Sequence, residues 1–280
     1  MVSELSHEDG SSLFSIGKVL AHSFSTFFKH PFVFLGLSIL AQTPGFVILV
    51  LMRNPPRFLM RYSYSTLGLL GLIVFIVNFI FSLAIQGTIA YGVYEVLRSK
   101  VARFGTALSH GMARIGILVL AVLSYSVRLI VLVFVVGFIL IRVLGLLGVA
   151  ILGLLLAALW CKWSVFVPAC VVERLGPIKC LHRSSDLTKG CRLRIAALYL
   201  LCFFIIVFVI YVLAYVNVLV SAFFLKTFGR AFTLVFLAAI RQLVTAVPVT
   251  LVNIVTAVIY YNLREVKEGV GIDQLAEVFD

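Results

Sequence analysis

Arg128 stands near the middle of an unbroken apolar run, "AVLSYSVRLIVLVF" (121–134). A guanidinium at the centre of a membrane span costs about 2.5–3.5 kcal/mol on insertion scales, so an ionisable residue there is by default a functional hypothesis. Ser124 lies one helical turn away on the same face. Together they could hold a fixed charge in a cavity or anchor a lipid phosphate; the same pair also fits a structural ion pair or a carbonyl contact inside a bundle. Two uncharged stripes accompany them. Asn78, Ser82 and Gln86 recur every four residues, and Gln242, Thr245, Asn253, Thr256 and Tyr260 recur mostly every three or four. Each stripe fits a wet path, and equally fits interhelical hydrogen bonds, worth about 0.6 kcal/mol each on average. Glycines 68, 71, 145, 148 and 153 add close helix contacts on the packing side.

Little else in the chain has the makings of a reaction centre. The eleven Asp and Glu are scattered, and no H-E-x-x-H or similar ligand pair occurs. The five Cys (161, 170, 180, 191 and 202) are odd in number and form no C-x-x-C pair. They read as small, adaptable packing residues. No metal, cofactor or catalytic residue is expected. Lys162 sits between Trp160 and Trp163, a setting that suits an aromatic belt and a snorkelling ammonium. Arg241, near one end of its apolar run, can snorkel in the same way.

The elements carrying these residues follow from composition. The chain is 62% hydrophobic and only 12% charged over 280 residues, with mean hydropathy +1.17. A soluble domain is about 45–50% apolar and about a quarter charged. The natural solvent of this chain is a bilayer. Six runs are long enough to cross about 30 Å of hydrocarbon: 31–52, 66–90, 115–140, 144–170, 194–225 and 233–261. They are continuous rather than alternating, so they predict helices and not a barrel. The last two are long enough to tilt or to extend past the interface. The opening "MVSELSHEDGSS" is polar and acidic, unlike a secretory signal, so the spans themselves are expected to direct insertion.

The net charge of +12 lies in the short connections between these runs. That points to anionic headgroups rather than nucleic acid. With both termini inside, the inner segments hold 14 Lys and Arg and the outer loops 6, with 3 more within spans. The bias predicts both termini in the cytoplasm.

Three connections look alike: "FSIGKVLAHSF" (14–24), "ARFGTALSHGM" (102–112) and "RLGPIKCLHRS" (174–184). Each predicts a short interfacial helix lying on the membrane, with Lys18, Lys29, Arg103, Arg114, Lys179, Arg183, Lys189, Arg192 and Arg194 as lipid-facing cations. In the third, Pro177 suits the first helical position and Gly190 a left-handed C-cap. Ile178, Leu181 and Ser185 would form its apolar face. After a polar tail (1–12), one membrane domain (13–280) is therefore expected to repeat the unit short helix, span, turn, span. The copies are 13–100, 101–173 and 174–269, around a pseudo-threefold axis along the membrane normal.

Two stretches carry a resemblance. "VPACVVERLGPIKCLHRSSDLTKGCRLRI" resembles the P-x-x-x-x-E-x-x-G-x-x-x-A-L-x-R-S-x-x-L-T-x-G pattern of the YciC-like integral membrane proteins. It is also similar to the membrane domain of some glycerophosphodiester phosphodiesterases. "YYNLREVKEG" is similar to their closing Y-Y-D-L-R-x-R-x-E-G, with Asn262 where Asp is usual. The matching positions are Pro168, Glu173, Gly176, Leu181, Arg183, Ser184, Leu187, Thr188, Gly190, Tyr260, Tyr261, Leu263, Arg264, Glu268 and Gly269. The resemblance implies a multi-pass bacterial inner-membrane protein. The hydrolase of those enzymes is a separate soluble domain with no counterpart here, so a membrane module is implied and an activity is not.

Three functions compete. The first is a non-catalytic scaffold or lipid-associated envelope factor, with membrane lipids and a second membrane protein or second copy as partners. The second is a transporter or channel for a small or anionic solute, with Arg128 and the polar stripes along its route. A lipid-modifying enzyme has the least support. The first two separate on whether Arg128, Asn78 and Asn253 converge on one cavity.

Overall fold

The computed structural model describes residues 15–53, 64–98 and 104–268, and every regular element among them is helical. Helix α1 (Ile16–Lys29) precedes α2 (Pro31–Arg53) and α3 (Tyr64–Leu97). Helix α4 (Phe104–Ala113) precedes α5 (Ile115–Val131), which passes through a π-helical turn, Leu132–Gly137, into α6 (Phe138–Leu144). Then come α7 (Leu146–Lys162) and α8 (Phe166–Val172). Helix α9 (Pro177–Thr188) precedes the two longest, α10 (Arg192–Phe228) and α11 (Arg230–Glu268). A short helix followed by an apolar hairpin thus occurs three times, in the order the sequence predicts. Five stretches among the described residues are long and apolar enough to cross a membrane, or six if α1 and α2, bent by 90° at their junction, count as one span.

The spans do not share the core equally. Half of the most apolar window of α11 is buried, against 6% for the third span and 11% for α10. Helices α2, α3 and α11 therefore form the centre, packed through Phe34, Leu37, Ile85, Ile89, Ile254 and Val258. The third and fifth spans leave large side chains such as Phe134 and Phe208 outside, as lipid-facing helices do. Helix α6 closes tightly on α7. Gly145 takes φ +56 at the turn, and a Cβ on Gly148 would stand 2.1 Å from the Leu140 carbonyl oxygen.

The short helices behave differently from one another. Helix α1 turns by 90° from α2. Helix α4 instead runs lengthwise along the end of α3. Gly111 meets Thr88 and Ala107 meets Gly92, so partners four residues apart on one helix meet partners four apart on the other. These small residues let two backbones approach, the usual device of helix contact in membranes. Helix α9 runs antiparallel beside α8 and the end of α7: Cys180 meets Cys170 on α8, and Ser184 and Thr188 meet Lys162, the last residue of α7.

The fourth span is also not the continuous helix predicted for 144–170. It breaks at Trp163–Val165. The exposed end of α7 is covered from α9, where Ser184 Oγ and Thr188 Oγ1 both donate to the Lys162 carbonyl, at 3.1 and 3.2 Å. A carbonyl left bare in this setting would cost the desolvation of a lost hydrogen bond. Pro177 occupies the first turn of α9, and Gly190 takes φ +90 just beyond it, as the sequence predicts. The face of α9 is shifted, however. Cys180, Leu181, Ser184, Leu187 and Thr188 are buried, whereas Ile178 is 53% exposed. Cys170 and Cys180, read from sequence as packing residues, form a disulfide across the Arg174–Gly176 turn, with Cα atoms 5.2 Å apart.

Candidate functional site

Polar side chains gather in three places. The first is a charged cluster where α8, α9, α11 and α3 end together. The Glu173 carboxylate accepts from Arg183 Nε at 2.8 Å and from Tyr260 Oη at 2.8 Å. Arg183 Nη2 also donates to Glu268, and Arg264 Nε donates to Glu268 at 2.8 Å. Arg264 Nη1 continues to Tyr94 Oη at 3.3 Å. Partial burial works against the Arg183 charge, but the hydrogen bonds and charges of Glu173 and Glu268 outweigh it and raise its pKa further. Lys267 Nζ donates to the carbonyls of Asp186 and Lys189, closing the C-terminal end of α9. The two motifs that carry the sequence resemblance thus meet in space. One supplies Glu173 and Arg183, the other Tyr260, Arg264 and Glu268.

The second place is a cavity of about 230 Å³ beside the break in the fourth span. Gln86, Tyr125, Trp163, Tyr199, Asn253 and Thr256 are among its walls. Tyr199 Oη and Thr256 Oγ1 pair at 2.9 Å. Its polar groups are uncharged and the rings of Tyr125, Trp160, Trp163, Phe166 and Tyr199 make up part of its walls, the make-up of a site for a neutral polar group or for water.

The third is a larger cavity of about 400 Å³ between α2, α3 and α11. Its walls include Gln42, Gly45, Asn78, Arg241, Gln242 and Thr245. Gly45 N donates to Asn78 Oδ1 at 3.1 Å, and Thr245 Oγ1 donates to Gln42 Oε1 at 3.0 Å. Along α11, Arg241 lies about 28 Å from the level of Tyr260, while Asn253 lies only about 10 Å from it. The two cavities are therefore at different depths. Between them is a closed layer in which buried Thr250 donates to buried Ser38 at 2.6 Å, beside Leu37 and Ile254.

The polar stripes are thus divided between sites. Asn78, Gln242 and Thr245 face the larger cavity, Gln86, Asn253 and Thr256 the smaller, and Tyr260 the charged cluster. Ser82 is half-buried and lines neither cavity. Arg128 lines neither as well. It is exposed, with its guanidinium 5.8 Å from the centre of the Trp163 ring, while Ser124 bonds back to the Leu120 carbonyl. Lys162 Nζ approaches the same ring at 5.3 Å. Among the described residues no carboxylate pairs with Arg128. Arg128→Leu is therefore expected to change stability by no more than the cation–π contact it removes, about 0.5–2 kcal/mol. Reversible unfolding in bicelles would show it, and a loss of about 3 kcal/mol or more, the cost of breaking a buried ion pair, would refute the unpaired placement.

Of the predicted lipid-facing cations, Lys18, Lys29, Lys179 and Lys189 are exposed. Arg114, Arg192 and Arg194 are half-buried, and Arg192 reaches the Ser185 carbonyl. Arg183 is turned inward into the cluster, and Arg103 lies outside the described residues. Among the described residues no group of three or more His, Cys, Asp or Glu is placed to hold a metal ion. Sequence reasoning missed Gln42, Tyr94 and Tyr199, and it read Arg241 as a snorkelling end residue. Only the lone Gln42 in an apolar run gave any signal. No family model, curated protein or solved structure matches the chain.

Proposed function

We propose that this is a non-catalytic multi-pass protein of the bacterial cytoplasmic membrane that acts as a lipid-associated scaffold or envelope factor. Both termini are cytoplasmic, and the end carrying α1 and α9 lies against anionic headgroups. The observation carrying this reading is the surface of α1. It turns 90° from α2, leaves Phe28 and the adjoining Phe32 71% and 88% exposed, and carries exposed Lys29 next to Phe28 and exposed Lys18 in its first turn. Lys18, Lys29, Lys179 and Lys189 form no ion pair among the described residues. Apolar rings with unpaired cations match the boundary between acyl chains and anionic headgroups. The Lys and Arg bias and the resemblance to YciC-like proteins support the same orientation and membrane. A second membrane protein or another copy of the chain would be scaffolded through the exposed third and fifth spans.

Near an anionic surface each Lys contributes about 1 kcal/mol. Changing Lys18, Lys29, Lys179 and Lys189 together to Gln should therefore remove most of the enrichment of phosphatidylglycerol over phosphatidylcholine around the protein. Native mass spectrometry from mixed-lipid nanodiscs reads that ratio, and an unchanged ratio would overturn the reading. Transport is a second reading, supported by one arrangement: two polar cavities on α3 and α11, on opposite sides of the Ser38–Thr250 layer. Anion flux into proteoliposomes, absent without protein, would favour it.

A further inference from the structure

We propose that the larger cavity is a binding site for a phosphate group, carried either by an amphiphile or by a water-soluble molecule. The argument rests on which hydrogen-bonding groups of its wall are already used. Gly45 N donates to Asn78 Oδ1, so that oxygen is taken and the orientation of the amide is fixed. Gln42 Oε1 lies 3.0 Å from the Thr245 hydroxyl, whose one proton is shared among it and the Arg241 and Gln242 carbonyls at 2.9 and 3.1 Å. What remains is mostly donors. Gln42 Nε2 and Gln242 Nε2 are buried with no partner. Asn78 Nδ2 has no acceptor among the described residues. Arg241 is exposed and forms no ion pair among them.

Among the described residues no carboxylate lines the cavity, and Arg241 gives its wall a net positive charge. A cation is thereby disfavoured, and a neutral group would leave the charge unmatched. A phosphate offers more acceptor positions than a carboxylate, enough for a guanidinium fork and several amide N–H groups at once. The cavity, at about 400 Å³, leaves room for whatever the phosphate is attached to. Its depth also fits. Arg241 stands about 28 Å along α11 from the charged cluster, close to one hydrocarbon thickness of about 30 Å. That places it near the opposite headgroup layer. The site is at the far end of the bundle from α1 and α9, so it stands or falls independently of their surface.

Two probes separate the possible carriers. One is phosphatidylglycerol retained through native mass spectrometry; the other is inorganic phosphate and glycerol phosphate titrated against thermal stability in neutral detergent. If the carrier is a lipid, Arg241→Gln loses one tightly held phosphatidylglycerol, binding about ten-fold or more weakly. The quadruple Lys→Gln variant keeps that copy. If the carrier is soluble, the phosphate compounds raise the melting temperature of the unaltered protein and not that of Arg241→Gln, with lipid retention equal in both. Should Arg241→Gln not fold, Arg241→Lys keeps the charge but loses the fork, and must still bind several-fold more weakly. Equal lipid retention together with no response to either soluble phosphate overturns the proposal.

Discussion

Glu173→Leu is expected to lower the unfolding free energy by about 3 kcal/mol, the lower end of the cost of breaking a buried pair. The lower end applies because the Arg183 side chain is about a quarter exposed and keeps Glu268 as a partner. The loss reaches beyond the ion pair. Tyr260 is 1% exposed, and its hydroxyl would be left without the acceptor it has in Glu173. Glu173→Gln, which keeps an acceptor oxygen, should cost clearly less. A double-mutant cycle with Arg183→Leu should return a coupling of about 1–3 kcal/mol. A loss below about 0.5 kcal/mol for Glu173→Leu, the range of an ordinary surface change, would show that the cluster does not hold α8, α9 and α11 together.

Gly111→Ala is the second large effect. The added Cβ would fall 2.2 Å from Thr88 Oγ1 and 2.7 Å from Thr88 N, so either α4 lifts from α3 or α3 shifts. Overpacking of this kind costs about 1–3 kcal/mol. Because backbone cannot yield as a flexible side chain does, Gly111→Ala should lie near 3 kcal/mol, and Gly111→Leu should release α4 altogether. Gly105, on the same helix, has nothing within 4 Å of its Cβ position. Gly105→Ala should therefore be neutral or slightly stabilising, by up to about 1 kcal/mol from helix propensity. Proteolysis between α4 and α5 would read both, and equal susceptibility of the two variants would refute the packing.

The spans and their order were legible because a bilayer imposes length and apolarity directly on sequence. The stop and start of α9 were legible for a similar reason: Pro177 and Gly190 have backbone requirements that need no tertiary partner. What neighbours decide was not legible. The break at Trp163–Val165 exists beside hydroxyls on α9 that cover the Lys162 carbonyl, and nothing local to "LWCKWSVF" announces them. Arg183 reads as one more basic interfacial residue until Glu268, 85 positions later, is beside it. The polar stripes were visible as stripes, but their division into two cavities depends on the pairing of Ser38 with Thr250, 212 positions apart.

The π-helical turn at Leu132–Gly137 has a consequence for chain length. Such a turn takes up one residue more than regular α-helix while leaving the helix on either side in register. A single deletion within 132–136 should thus convert the turn to α-helix and be nearly silent, keeping Gly137 against Leu152, where a Cβ would come within 2.9 Å. The same deletion nine or ten residues earlier, near Leu123, would rotate everything beyond it by about 100° and swing Arg128 off Trp163. Homologous chains of this architecture are therefore expected to differ in length by one residue at this turn far more readily than anywhere else in the third span.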